Sequence, residues 1–510
     1  GGAPGGGAPA AATGPAGATA PAGGDLDLAA ARPNVIVVYT DDHDFDEIGF
    51  YGGDVLTPTI DRLFAEGLRF GQARITSPVC GPSRYTLHTG RFASRGTPHP
   101  ETDWVFFNMR VREGDRLLGA VLGEGGYRTG FLGKWHLRWA EDDLSLDYDP
   151  EGEPTPQLSA FMARYRARLA SSAGYEVADR VYPANPDDGP IREPGVPEEL
   201  FDHNMEWVTE GALEFIAASR AEGRPFALVM ATTLPHAPPW EDGGPDPRIT
   251  PAGYLPSAPR VQAPRESIAP RLAAHHAHHG EALRDNAEDL LWLDDGLAAV
   301  LEAAGPDTLV MLMSDHGNPG KASVYDAAAR VPFTVWWPGR IAAGESGALV
   351  SNLDILPTLA EIAGAPFEGD GESLAPILEG RAEAVRERHL LEMGFTRALV
   401  TDDGWKLVVR RMPLRDRSWV FKGGELYSHY NRDTPHPHWR DELQLYDLTR
   451  DPEERVNLAE AEPERLERML AAFDAELEAR GLGFGEFGAG RGWTDALTRW
   501  GIERVYGPWR

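Results

Sequence analysis

The chain has 510 residues, 42% hydrophobic and 25% charged, enough for one large α/β domain with a smaller companion. Its formal net charge of −30 argues against a nucleic-acid partner, and no run approaches the ~18 consecutive apolar residues of a transmembrane segment. Cys80 is the sole cysteine, which excludes a disulfide framework and Cys-rich zinc sites, and the only lysines are Lys134, Lys321, Lys406 and Lys422.

Residues 1–28 are a Gly/Ala/Pro-rich lead without apolar periodicity, expected as a disordered tether. Its start at Gly1 rather than Met suggests a chain trimmed of a secretory signal or lipoprotein leader, hence an exported protein, periplasmic or extracellular, lipid-anchored before processing in the second case. NVIVVYT, Asn34–Thr40, reads as a strand buried on both faces that stops at Asp41-Asp42. TPTIDRLFAEG predicts a helix with Thr57 as N-cap, Pro58 in its first turn, an apolar stripe of Ile60, Leu63 and Phe64, and Gly67 as the stop. SPVCGPSRYTLHTGR, residues 77–91, holds the one cysteine.

A short strand at 129–132 runs into Gly133-Lys134-Trp135-His136, and one at 226–232 ends on Pro235-His236. A helix over 281–305 feeds a strand at 308–313 that ends on Ser314-Asp315-His316-Gly317. HHAHHG, at 275–280, is expected at the exposed start of that helix and not at a metal site. Strands alternating with helices predict a large, mostly parallel sheet sandwiched by helices, and ligands of such sheets bind beyond the carboxyl ends of the strands. Four polar strand ends then face one crevice.

Asp41, Asp42 and Asp315 in one crevice repel one another unless a cation neutralises them. Oxygen ligands favour calcium, with magnesium or manganese as alternatives, and His316 adds a nitrogen. Arg84, Lys134, His136, His236 and Lys321 would surround that ion with positive charge and proton donors, as a tetrahedral oxyanion ester requires. A thiolate phosphatase of the Cys-x5-Arg kind needs arginine at 86, where the chain has Thr86, and a papain-like reading gives no reason for an aspartate-lined site.

Cys80-Gly81-Pro82-Ser83-Arg84, followed by Leu87 and Thr89-Gly90-Arg91, resembles the signature of the type I sulfatases of the alkaline-phosphatase-like superfamily. The likeness continues in order from about residue 33 to 460: PNVIVVYTDD, GKWHL, PHAP, SDHG with Lys321 and Arg330-Val331-Pro332, DILPTLAEIAG at 354–364 and LYDLTRDPEERVNL at 445–458. The resemblance implies that a maturation enzyme oxidises Cys80 to formylglycine, reading Pro82 and Arg84. It implies metal ligation by Asp41, Asp42, Asp315, His316 and residue 80, and catalytic roles for Arg84, Lys134, His136, His236 and Lys321.

The implied reaction is hydrolysis of a sulfate monoester. One hydroxyl of the hydrated aldehyde attacks sulfur, His236 or Lys321 protonates the leaving oxygen, and the second hydroxyl, with His136 as base, collapses to expel sulfate. Two positions depart from the pattern: His316 stands where Asn is frequent, and Gly81 where Thr, Ser or Ala is commoner. The same fold and residue also suit a phosphonate monoester hydrolase or phosphodiesterase, and a third reading is a non-catalytic sulfoglycan-binding protein.

The expected organisation is a lead over 1–28, a catalytic domain over 29–385 and a smaller α+β subdomain over 386–510. FTRALVTDDGWKLVVRR reads there as two strands about an Asp-Asp-Gly turn, QLYDLT as another, and PERLERMLAAFDAELEARG as a helix with Leu466, Met469, Leu470, Phe473 and Leu477 on one side. The Gly- and aromatic-rich end, 483–510, is expected to pack over the core. Loops at 141–200 and 238–275 are expected to choose the substrate, a sulfated small molecule or glycan, with a carbohydrate sulfate the first expectation.

Overall fold

The structure is a computed structural model that describes residues 26–96, 109–140, 144–186, 191, 193–240, 244–261, 265–280, 284–393, 396–410, 436–438 and 441–482. The lead up to residue 25 and the end from 483 lie outside them.

Eight strands build the central sheet: β1 (Asn34–Thr40), β2 (Leu68–Arg74), β3 (Arg128–Lys134), β4 (Val177–Tyr182), β5 (Phe226–Ala231), β6 (Thr308–Ser314), β7 (Phe333–Trp336) and β8 (Gly344–Ser351). Their order is β8-β2-β7-β6-β1-β5-β3-β4. The sheet is parallel except at β7, which runs against both β6 and β2. In the middle, β1 pairs in register with β6, from Asn34 opposite Thr308 to Thr40 opposite Ser314. These strands are apolar throughout because both faces are covered. Val35, Val37 and Tyr39 join Leu309, Met311 and Met313 in one core, while Ile36 and Val38 join Val310, Leu312, Leu228 and Met230 in the other.

The helix Pro58–Glu66 buries Ile60, Leu63 and Phe64 and stops at Gly67, as its pattern predicts. Thr57 occupies the N-cap position without capping; its Oγ1 donates to Asp61 Oδ1 at 3.1 Å. The cap comes from another helix: the Thr59 and Ile60 N–H groups donate to the Asp294 carboxylate at 3.1 and 2.7 Å.

The helix predicted over 281–305 runs Ala287–Ala304. Before it, Arg284 and Asn286 reach away to Asp54 and Glu47, at 2.7 and 2.6 Å, in place of the first turn. The histidine run at 275–280 closes the separate helix Arg265–His279, ending at Gly280 with φ 74°, and so does not open the later one. The stretch 141–200 is less loop than expected: it holds the 20-residue helix Pro154–Ala173 and the edge strand β4.

A second, antiparallel sheet follows in chain order: β9 (Arg388–Met393), β10 (Thr396–Thr401), β11 (Trp405–Arg410) and β12 (Leu443–Asp447). The hairpin of β10 and β11 turns at Asp402-Asp403-Gly404, where Gly404 has φ 80°. β9 is an addition to the strands read from the sequence. The helix Pro463–Ala479 buries Met469, Phe473 and Leu477 against Leu390, Leu399, Leu407 and Leu445, with Leu466 and Leu470 half-buried beside them. The other face of this sheet, through Leu391, Ala398, Val408 and Tyr446, packs on Val79, Val324 and Tyr325, so it supports the chain next to Cys80.

One ion network joins the two sheets. Lys406 of β11 is fully buried, with Nζ 2.8 Å from Asp326 Oδ1 and 2.8 Å from Glu454 Oε1. Arg74 of β2 grips the same Asp326 through Nε and Nη2 at 3.0 and 2.6 Å. Burial would raise the Asp326 carboxyl, but Arg74 and Lys406 hold it well below the usual carboxylate range. Removing Lys406 strands buried carboxylates, so Lys406→Met should lose about 3 kcal/mol of unfolding free energy in urea titration.

Candidate active site

Four strands of the central sheet end in polar groups at one edge, and the side chain of Arg84 meets all four ends. Its Nη2 donates to Asp315 Oδ2 beyond β6 at 3.0 Å and to Asp41 Oδ2 beyond β1 at 3.2 Å. The same nitrogen lies 3.4 Å from the Thr232 carbonyl beyond β5, and Nη1 donates to the Lys134 carbonyl of β3 at 2.8 Å. Arg84, Asp41 and Asp315 are fully buried.

The helix Cys80–Thr89, all ten residues of it buried, delivers that arginine. Cys80 opens its first turn, where unpaired N–H groups and the helix dipole favour negative charge. Ser83 faces the other way: its Oγ lies 2.6 Å from the Tyr39 hydroxyl and accepts from Asn352 Nδ2 at 3.2 Å, which pins the helix to β1. The Cys80 Sγ stands 3.2 Å from His316 Nε2 and 3.6 Å from Asp41 Oδ1.

Asp42 adopts a left-handed backbone, φ 57°, and its N–H donates to Asp315 Oδ1 at 3.2 Å. Its carboxylate receives Lys321 Nζ at 3.0 Å on both oxygens, and lies 3.0 Å from His316 Nε2 and 3.5 Å from His236 Nε2. Lys134 is fully buried and donates to Asp41 Oδ2 and to Asn185 Oδ1. Gly133 makes that placement feasible. The ladder to β4 shifts between Leu132 and Gly133, and with φ 91° a Cβ at 133 would fall 1.9 Å from the Ala231 carbonyl oxygen. His136 is half-buried, with φ 56° and its N–H donating to the Pro183 carbonyl at 3.0 Å.

The structure thus brings Asp41, Asp42, Cys80, Arg84, Lys134, His236, Asp315, His316 and Lys321 together, while His136 is placed by its backbone. Asn185 is a residue the sequence reading missed. It follows the edge strand β4, buried, with Oδ1 on Lys134 and Nδ2 3.2 Å from His236 Nε2. The Pro-Ala-Asn-Pro run at 183–186 is its only local signal.

Burial and charge compete throughout. Burial would raise Asp41, yet Lys134 and Arg84 hold it well below the usual carboxylate range; Asp42 is likewise brought down to about 2, chiefly by Lys321 and His316. Burial and the Asp41 charge push Asp315 up to about 7. His316 goes the other way from its burial: Asp315 and Asp42 raise it to about 10. Cys80 is opposed by burial, but Lys134 and Lys321 bring its thiol down to about 6. Ligand atoms of Asp41, Cys80, Asp315 and His316 lie within 4.8 Å of one another, as do those of Asp41, Asp42, Cys80 and His236.

A sequence model of the Sulfatase family matches residues 33–365. The chain belongs to the sulfatase family. It is 28% identical to human (Homo sapiens) arylsulfatase A over 92% of this chain and 93% of that protein. It is 27% identical to N-acetylgalactosamine-6-sulfatase of Canis lupus familiaris over 73% and 71% of the two chains. Among solved structures, a 6S-sulf protein from a glycosaminoglycan-metabolism locus of Bacteroides thetaiotaomicron superposes with a TM-score of 0.63 at 21% identity, covering 87% of this chain and 98% of that one; this likeness concerns the fold. The sulfatase is therefore a hydrolase of sulfate esters, and the non-catalytic reading falls. No helix among its described residues is long and apolar enough to cross a membrane.

With one cysteine in the chain, thiol chemistry reports on Cys80 alone. In metal-free protein made without a maturation enzyme, its reaction with a small methanethiosulfonate should rise with pH through about 6 and level off by about pH 8. An ordinary thiol would still be gaining thiolate there.

Proposed function

We propose that this sulfatase removes sulfate from carbohydrate esters, using formylglycine made from Cys80 and a divalent cation, calcium first. The observation that carries the reading is the position of Cys80: at the first turn of a buried helix, within 3.6 Å of Asp41 Oδ1 and 3.2 Å of His316 Nε2, beside two lysines. The thiol sulfur stands in for the oxygens of the converted residue.

A divalent cation fits the donor set. His316 Nδ1 faces the Gly317 carbonyl at 3.1 Å, so a proton there turns the Nε2 lone pair toward Asp42 and Asp315. Asp315, raised by burial and by Asp41, is a carboxylate short of positive charge. Asp41, Asp42, Asp315 and His316, with residue 80, would hold the ion. When bound it supplies Lewis-acid charge for the hydroxyl of residue 80 and for a sulfate oxygen.

The chain's own residues supply the remaining chemistry. Lys134 and Lys321 both put positive charge on residue 80, as the non-bridging oxygens of a bound sulfate require. Their side-chain exposures, 0% and 19%, rank Lys134 as the inner contact and Lys321 as the outer one. His236, 15% exposed, is with Lys321 positioned to exchange a proton with the leaving oxygen, and His136 is the base for the second hydroxyl of the hydrated aldehyde. Arg84, closed off by its four partners, holds the site together from beneath.

The N-acetylgalactosamine-6-sulfatase relative supports a sulfated sugar as substrate. A formylglycine-generating enzyme acting on the unfolded chain is the required partner, because Cys80 is only 3% exposed once folded. Export is part of the same reading.

The test is release of free sulfate from an aryl sulfate and a panel of sulfated sugars, with protein co-produced with a formylglycine-generating enzyme and supplied with calcium. Turnover should be present in the wild type, absent in Cys80→Ala, and limited to about one equivalent in Cys80→Ser, whose single hydroxyl cannot expel sulfate. Cleavage of an aryl phosphodiester in preference to every sulfate would overturn the reading.

A further inference from the structure

Lys321 ends a four-residue turn, Asn318-Pro319-Gly320-Lys321, closed by its own N–H donating to the Asn318 carbonyl at 3.1 Å. Proline at the second position suits such a turn, but Asn318 and Pro319 are exposed, so packing over them does not hold it in place. Hydrogen bonds on either side do. After the turn, the Ala322 N–H donates to the Pro78 carbonyl at 3.0 Å, which ties the lysine to the segment entering Cys80. Before it, the Asn318 N–H donates to both oxygens of Asp44, at 3.1 and 3.2 Å. The approach is close enough to need a glycine: a Cβ at 317 would fall 2.8 Å from Asp44 Oδ1 and 2.5 Å from the Ala327 carbonyl oxygen. Asp44 is itself fixed. Its N–H donates to Glu47 Oε2 at 2.8 Å, and Glu47, 6% exposed, receives Asn286 Nδ2 on Oε1 at 2.6 Å, just before the helix Ala287–Ala304.

We infer that Asp44 is a positioning residue of the sulfatase reaction: by accepting the Asn318 N–H it sets the turn that presents Lys321 to the sulfate ester. The inference rests on the role given to Lys321 in the formylglycine-sulfatase reading above. The loop after β1 carries Asp42 and, two residues on, the anchor of the loop after β6 that carries Lys321. At rest the ammonium lies on both Asp42 oxygens at 3.0 Å, so its head is held by that carboxylate. Once the ammonium turns to a sulfate ester, the turn has to keep the base of this long, rotatable side chain in place. Asp44 does so as a hydrogen-bond acceptor and not as a charge.

The test uses the calcium-loaded, formylglycine-containing enzyme on an aryl sulfate. Asp44→Ala should lower kcat/KM at least about tenfold, with calcium and formylglycine content unchanged. Asp44→Asn keeps a carbonyl oxygen for the Asn318 N–H and should stay within about threefold of wild type, a rescue that a role for the charge would not allow. In a Lys321→Ala background, where no ammonium is left to position, Asp44→Ala should cost less than about a further twofold. In the wild type, the Asn318 amide should exchange with deuterium at least about a hundredfold more slowly than an open amide, although its residue is exposed. That measurement reads the anchor even if the alanine variant does not fold. A full additional loss in the Lys321→Ala background, equal losses in the asparagine and alanine variants, a loss that only tracks lost calcium, or an Asn318 amide exchanging at the open rate would each overturn the proposal. Failure of the parent reading looks different: wild-type enzyme with confirmed formylglycine would release no sulfate, whereas failure of this inference leaves wild-type turnover intact.

Discussion

The Arg84 guanidinium is the constraint on which the rest of this protein depends. Carboxylates from two strand ends, Asp41 and Asp315, and carbonyls from two more converge on it without solvent access. Charges so placed would be costly unpaired, and a planar fork with several fixed donors can satisfy partners from different directions at once. A lysine there would provide charge but not that geometry. The helix carrying Arg84 must therefore enter the sheet at one depth and one rotation, and Ser83, held between Tyr39 and Asn352, sets the rotation. Once Arg84 is seated, Cys80 one turn earlier has little freedom left. It lies at the helix start, against His316 and Asp41.

Lysine usage divides along the same line. Arginine carries most of the positive charge of the chain, and the three lysines among the described residues all meet buried or nearly buried carboxylates. Lys134 and Lys321 meet Asp41 and Asp42, and together they bring the Cys80 thiol down. Lys406 works on structure alone, closing the junction between the sheets with Arg74, Asp326 and Glu454. That junction is not remote from the chemistry. The residues packed on the second sheet include Val79 and Val324, so the sheet braces the segments that carry Cys80 and Lys321.

The site also shows how burial can be turned to use. Desolvation alone would protonate Asp41 and Asp42 and disfavour the Cys80 thiolate, and in each case nearby cations reverse the direction. Asp315 is the member for which they do not suffice, and His316 takes up the difference by holding positive charge between Asp315 and Asp42. A cation bound in that place would replace the proton of His316 and leave the same atoms as ligands.

Much of this was fixed by the sequence itself. The apolar runs of β1, β5 and β6, each followed by acids or histidine, determine buried strands with functional ends, because alternation of side chains on a two-sided sheet demands apolar residues at every position until the sheet stops. Cys80 and Arg84 were legible for a similar reason: their identities and spacing are local. What only the tertiary structure decided are contacts whose two halves lie far apart in the chain. Asn185 has no mark of its own until β4 brings it between Lys134 and His236; Asp294 caps a helix more than 200 residues earlier; Lys406 finds Glu454 and Asp326 only after the second sheet has folded. The existence of β2, β4, β7, β8 and β9, and the antiparallel course of β7, belong to the same class. Short strands and polar partners take their meaning from hydrogen bonds closed across the fold, and local pattern carries no record of the partner.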